Sequence, residues 1–246
     1  MKKLQGRNSF DPEAFMLYTV PRAEVRICQN LENMIDSEVL MIGIIDYDAG
    51  NIKSVEKALD FLGEKSVVTR DPAELLAADK VILPGVGSFG DAMENLNRYG
   101  LVSVIREIVE KKVPFLGICL GLQLLFESSE ESPGVDGLGI LKGKVLRIPP
   151  KENLKIPHMG WNSLHLQNEG RLFAGIPQET YVYFVHSYYL HAEDPSIVKA
   201  TTFYGTQIHA SVEQGNVFAC QFHPEKSSQW GLKILENFAK LDRGDV

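Results

Sequence analysis

Three side chains in this sequence have the types and settings needed for nucleophilic catalysis. The first is Cys119, which ends the apolar run Phe115–Ile118 and lies between Gly117 and Gly121. An apolar strand, then Gly-x-Cys-x-Gly, then a second apolar run beginning at Leu122 is the cysteine version of a nucleophile elbow. The turn is sharp enough that side chains flanking the nucleophile would collide, so glycine stands on both sides. Such a turn lifts the sulfur above the carboxyl end of a strand, beside the N-terminus of a helix, where thiolate is favoured over thiol. The second and third are His223 and Glu225, in Gln221-Phe-His-Pro-Glu225 just past an apolar strand. A cysteine nucleophile needs a general base, and the base needs a group to orient it. In an extended stretch, residues two apart share a side. Glu225 is therefore expected to reach the imidazole nitrogen that faces away from Cys119.

These residues must be placed by the elements around them. Met41–Asp46 reads as a buried strand. Ile52–Leu62 has apolar residues at 52, 55, 58, 59 and 62, a helix with one buried face that stops at Gly63. Ser66–Thr69 and Lys80–Leu83 read as strands. Between them a helix opens at Asp71-Pro72, with Asp71 as its cap. Helical segments over Phe89–Asn97 and Leu101–Lys111 precede the strand that carries Cys119. This alternation predicts an α/β fold of flavodoxin-like type, a doubly wound and mostly parallel sheet. Ligands of such sheets bind beyond the carboxyl ends of the strands, where Pro84–Gly87 and Cys119 both fall. From about Gly143 the pattern changes to short segments rich in Val, Ile, Tyr and Phe (144–148, 181–185, 197–203, 206–211 and 216–222). These predict an antiparallel C-terminal portion with hairpin turns at Tyr204-Gly205 and Glu213–Asn216, closed by a helix over Ser228–Lys240.

Bulk properties narrow the function. The chain has 246 residues and a formal net charge of −7, which disfavours nucleic acid or an anionic membrane surface as a partner. Three cysteines (28, 119 and 220) without a framework fit a reducing, cytoplasmic setting. No run approaches the ~20 apolar residues of a membrane span. The six histidines follow no metal-ligand spacing, and neither a metal nor a cofactor is expected. Residues 1–40 lack a sustained period and are expected to be an N-terminal extension, disordered or not native, with Met41 the natural first residue. Residues 41–243 then form one domain.

Gly117-Ile-Cys119-Leu-Gly121 with Gln123, together with Phe222-His223-Pro-Glu225, resembles the class I (triad) glutamine amidotransferases. Within them the chain is similar to the glutaminase subunits of imidazole glycerol phosphate synthases. That resemblance rests on Asp46-Tyr-x-x-Gly50-Asn51, Pro84-Gly-Val-Gly87, His158-Met-Gly-Trp-Asn162, His186-Ser-Tyr188 and His223-Pro-Glu-Lys-Ser227. It implies that glutamine is hydrolysed through a γ-glutamyl thioester on Cys119, and that the ammonia passes to a (β/α)8-barrel cyclase subunit in a heterodimer. By the same resemblance the oxyanion hole uses the amide of Leu120 and the loop at Val86 and Gly87. Gly85, Gln123 and Ser187 line the glutamine site, Gln123 at the α-amino or carboxylate end. Lys226, Trp161 and Tyr47 face the partner. Many relatives carry consecutive glycines where this chain has Val86. A stiff valine makes a peptide flip costly, so a hole unformed at rest is expected. A pyridoxal-phosphate synthase glutaminase, a γ-glutamyl hydrolase and a non-catalytic module on the same fold are the rival readings. The Val86 loop and the intact Cys119, His223 and Glu225 disfavour them.

Overall fold

The computed structural model describes residues 40–242 and Gly244. The expected extension over 1–40 lies outside the described residues apart from Leu40. In chain order the described residues form β1 (Met41–Ile45), α1 (Ile52–Leu62), β2 (Lys65–Thr69), α2 (Pro72–Ala77), β3 (Lys80–Leu83), α3 (Phe89–Arg98), α4 (Leu101–Glu110), β4 (Phe115–Ile118) and α5 (Leu120–Leu124). Eight further strands follow: β5 (Ser128–Ser129), β6 (Gly143–Arg147), β7 (His158–Leu166), β8 (Thr180–His186), β9 (Tyr188–Ala192), β10 (Val198–Tyr204), β11 (Thr206–Gln214) and β12 (Val217–Cys220). Helix α6 (Ser228–Ala239) comes last.

Nine strands make one sheet in the order β2-β1-β3-β4-β12-β11-β10-β7-β8. The first five pair in parallel and the remainder antiparallel, as the change of pattern near residue 143 predicts. Strands β5, β6 and β9 form a second, three-stranded sheet. The parallel strands are apolar on both faces because helices cover both. Leu96, Ile105 and Phe126 pack on one side, and Leu59, Ile234 and Phe238 on the other. Asp71 caps α2 as expected, its carboxylate accepting from the Ala73 amide at 2.7 Å.

Three strands, the two-residue β5 and the longer β7 and β9, are absent from the sequence expectation. Strand β7 turns its large apolar residues outward, with Met159 62% and Trp161 52% exposed, so its pattern does not read as a half-buried strand. The run Tyr181–Leu190 looks continuous, yet at Ser187 the chain leaves the large sheet and enters the small one. The apolar stretch after Cys119 also forms a shorter helix than the pattern suggests, five residues over Leu120–Leu124.

Candidate active site

Strands β4 and β12 run side by side, Ile118 in register with Cys220, so Cys119 and the turn after β12 emerge at the same edge. Cys119 sits at φ 55°, ψ −106°, a conformation unusual for a residue with a side chain. Its amide is tied to the Cys220 carbonyl at 2.8 Å. The flanking glycines are required by contact. A Cβ on Gly121 would lie 1.9 Å from the Leu83 carbonyl oxygen, and one on Gly117 would lie 2.8 Å from the Gly121 oxygen. The elbow thus packs backbone against backbone with no room for a methyl group.

His223 is fully buried and fixed by its neighbours. Its amide donates to the Tyr183 carbonyl on β8 at 2.9 Å, and its carbonyl accepts from Ser227 Oγ at 2.6 Å. Ser227 Oγ also accepts from the Tyr183 amide at 2.9 Å, so the turn is stitched to β8 at both ends. His223 Nδ1 meets Glu225 Oε1 at 2.7 Å. The geometry behind this pair differs from the expectation: Pro224–Lys226 forms a tight 3-10 turn, and the turn brings Glu225 back to the ring. Glu225 Oε1 accepts a second hydrogen bond, from Asn51 Nδ2 at 2.6 Å, while Oε2 has no partner among the described residues. Asn51 is a candidate site residue that sequence reasoning left unassigned, although Gly50-Asn51 is part of the resembling pattern. It lies beyond β1 in the left-handed region, φ 74°, where asparagine is tolerated. The same loop is held by Arg70, whose guanidinium bonds Asp46 and Asp48 at 2.7 Å each.

Among the described residues His223 Nε2 has no nitrogen or oxygen partner, and its neighbour is the Cys119 sulfur. Burial works against a charge on this ring, but the neighbouring Cys119 sulfur and the Glu225 carboxylate outweigh it and push its pKa up to about 9. The imidazolium form of His223 is therefore the favoured one at rest, beside the Cys119 sulfur.

A cavity of about 340 Å³ is lined by Cys119, Leu120, Gln123, Val86, Gly87 and Ser187, among others. Six residues expected from the sequence thus meet in one hollow. Gly85 is not in its lining. It packs beneath, where a Cβ would lie 2.3 Å from the Tyr47 hydroxyl. The Gly85 carbonyl accepts the Leu120 amide at 3.3 Å, which occupies the donor expected to form the oxyanion hole. Tyr47, expected at a docking surface, is instead 1% exposed, with its hydroxyl donating to the Pro84 carbonyl at 2.8 Å. It supports the loop from below, and no face of its ring is free for a partner. Trp161 and Lys226 do lie at the surface. Lys226 lines a groove of about 790 Å³ with Asn51 and Lys53, and Val86 borders both this groove and the cavity.

Behind the cavity runs a chain of neutral groups. A carbonyl only accepts, so the 2.8 Å contact of His186 Nδ1 with the Tyr188 oxygen puts the proton on Nδ1. Burial lowers the pKa of His186 to about 3 and that of His158 to about 4, so both rings are neutral. His186 Nε2 then accepts from His158 Nδ1 at 3.0 Å, and His158 Nε2 accepts from Asn162 Nδ2 at 3.3 Å. Among the described residues no group of three or more His, Cys, Asp and Glu is arranged to hold a metal.

A buried imidazole–carboxylate pair beside a cysteine on a strained elbow can do acyl transfer, and comparison with known proteins agrees. The class-I glutamine amidotransferase family profile matches residues 43–241. The chain belongs to that family. Imidazole glycerol phosphate synthase subunit HisH of Moorella thermoacetica is 55% identical over 202 residues, covering 82% of this chain and 95% of that protein. The subunit of the same name from Methanocaldococcus jannaschii is 53% identical over 201 residues, covering 82% and 100%. The structure of PurLQS from Thermotoga maritima superposes with a TM-score of 0.65 at 22% identity, over 81% of this chain and 97% of that one, a likeness of fold.

Proposed function

We propose that the chain is the glutaminase subunit of an imidazole glycerol phosphate synthase, hydrolysing glutamine and passing ammonia to a (β/α)8-barrel cyclase subunit in a cytoplasmic heterodimer. The observation that carries the chemistry is the His223–Glu225 pair at 2.7 Å, buried beside Cys119 at the elbow. The Cys119 thiolate attacks the side-chain amide carbon of glutamine. His223, protonated at rest, gives its proton to the leaving nitrogen, and ammonia departs from a γ-glutamyl thioester. His223 then takes a proton from water, which attacks the thioester and frees glutamate and the thiolate. Glu225 holds the imidazole in the tautomer that presents Nε2 to the sulfur.

Substrate recognition falls to Gln123, Ser187 and Gly87. Gln123 Nε2 is engaged with the Tyr188 carbonyl and with Gln221 Oε1, both at 3.0 Å, which leaves its own oxygen as the free group. Gln123 therefore suits the α-ammonium of glutamine rather than its carboxylate.

The oxyanion hole is proposed to be closed at rest. The Gly85 carbonyl covers the Leu120 amide, and it must move before a tetrahedral oxyanion can take its place. Val86 offers the lever, because it borders both the cavity and the groove lined by Lys226 and Lys53, and that groove is read as part of a docking face. Glutamate release measured on the chain alone and then with a cyclase subunit and its nucleotide ligand tests this reading. Near-silence alone and a rise of orders of magnitude in the complex are expected. Full activity alone would overturn the closed hole. A Cys119→Ala chain should release no glutamate while its complex still works with free ammonia, and an active Cys119→Ala chain would overturn the nucleophile.

A further inference from the structure

Gln221 has no role in the chemistry described so far, yet it is fully buried against the nucleophile. It directly follows β12, and its backbone amide is fixed to the Ala210 carbonyl at 2.8 Å. Its side-chain orientation follows from a chain of donors and acceptors. The Tyr188 carbonyl can only accept, so the Gln123 group facing it at 3.0 Å is Nε2. That same nitrogen faces the Gln221 amide at 3.0 Å, so the Gln221 atom there is Oε1. Gln221 Nε2 is thereby turned the other way, where it lies 3.8 Å from Cys119 Sγ. It meets no other acceptor among the described residues.

We propose that Gln221 is a second polar partner of the nucleophile: its side-chain amide donates to Cys119 Sγ and steadies the anionic sulfur, and Gln123 sets its orientation. The donor acts at two moments of the cycle. At rest it favours the thiolate that His223 also favours. When water breaks the thioester, sulfur leaves as an anion again, and the same N–H meets it. The ionisable groups around this sulfur are His223 and Glu225 on the turn after β12, Cys220 on the adjacent strand, Tyr47 beneath the loop after β3, and Glu131, His186 and Tyr188 at the cavity wall. Of these, His223 is the cationic partner. Gln221 is a neutral donor with a fixed direction, so it acts whether or not His223 is charged.

The inference rests on Cys119 being the nucleophile. Its test follows the rate of iodoacetamide labelling of the full chain against pH, with the labelled peptide identified by mass spectrometry. Label on another cysteine, or undiminished labelling of Cys119→Ala, would undo the nucleophile itself. With label on Cys119, Gln221→Met should raise the midpoint of the profile, so that the rate on its acid side falls about tenfold, the weight of one charge-assisted hydrogen bond. Gln221→Glu should raise the midpoint further, because an oxygen then faces the sulfur. The alkaline plateau should not fall in either variant, since a less stabilised thiolate is the stronger nucleophile. Damage to the fold would lower the plateau instead. Folded variants with an unmoved midpoint would overturn the proposal. In the unsubstituted chain, the Gln221 side-chain NH2 resonance should titrate with the midpoint of labelling. A resonance indifferent to that midpoint would overturn the proposal even if neither variant folds.

Discussion

One oxygen of Glu225 accepts both the His223 Nδ1 and Asn51 Nδ2 hydrogen bonds, while the other has no partner among the described residues. The orienting carboxylate is itself oriented by a residue 174 positions earlier in the chain. Replacing Asn51 with glycine keeps the left-handed backbone accessible and deletes only the amide. The expected result for Asn51→Gly in the complex is a fall in kcat of about tenfold, the weight of a hydrogen bond to a charged group, with Tm nearly unchanged. An unchanged kcat would reduce Asn51 to a loop residue. The grouping of Cys119, His223 and Glu225 as a candidate triad was legible in the sequence because glycines bracket Cys119 and because His223 and Glu225 are neighbours. Asn51 was not, because nothing local in a Gly-Asn turn says what its amide faces. Tyr47 was misread for the same reason: an aromatic residue after a strand suits a surface or a core, and only the packing of the Pro84–Gly87 loop above it decides.

At the level of elements, the elbow is the least forgiving joint. It is assembled from β3, β4 and α5, with the Gly121 Cα pressed onto the Leu83 carbonyl. Gly121→Ala is expected to destabilise the fold by about 3 kcal/mol, seen as a lower denaturant midpoint at unchanged slope; near-wild-type stability would mean that the elbow yields. The parallel half of the sheet was legible because each strand is a continuous apolar run bounded by turn residues and separated by helices. Strands β7 and β9 were hidden by two physical effects. One strand exposes what a soluble strand normally buries, and the other continues an apolar run while changing sheets.

Across the whole molecule, the buried histidines set opposite pH limits. His158 and His186 have folded pKa values of about 4 and 3, below the ordinary 6.5, so the unfolded chain binds their protons first as pH falls. Their contribution to stability is complete above about pH 6.5 and is lost progressively below it. His223 is raised to about 9, so its contribution is complete below the ordinary value and is lost as pH rises through about 9. Denaturant midpoints should therefore peak near pH 6.5 and drop on both sides of it. His186→Gln should flatten the acid limb alone, and an acid limb of the same steepness in that variant would refute the assignment. Val86 has a consequence of another kind. It is the side chain that the cavity and the groove have in common, and the missing side chain of Gly50 leaves its Cγ2 just 2.8 Å from where a Cβ would stand. On the proposed reading, docking and catalysis then share a single latch. Whatever presses on the groove disturbs the same loop whose carbonyl caps the Leu120 amide, so the enzyme would be armed only while that face is occupied.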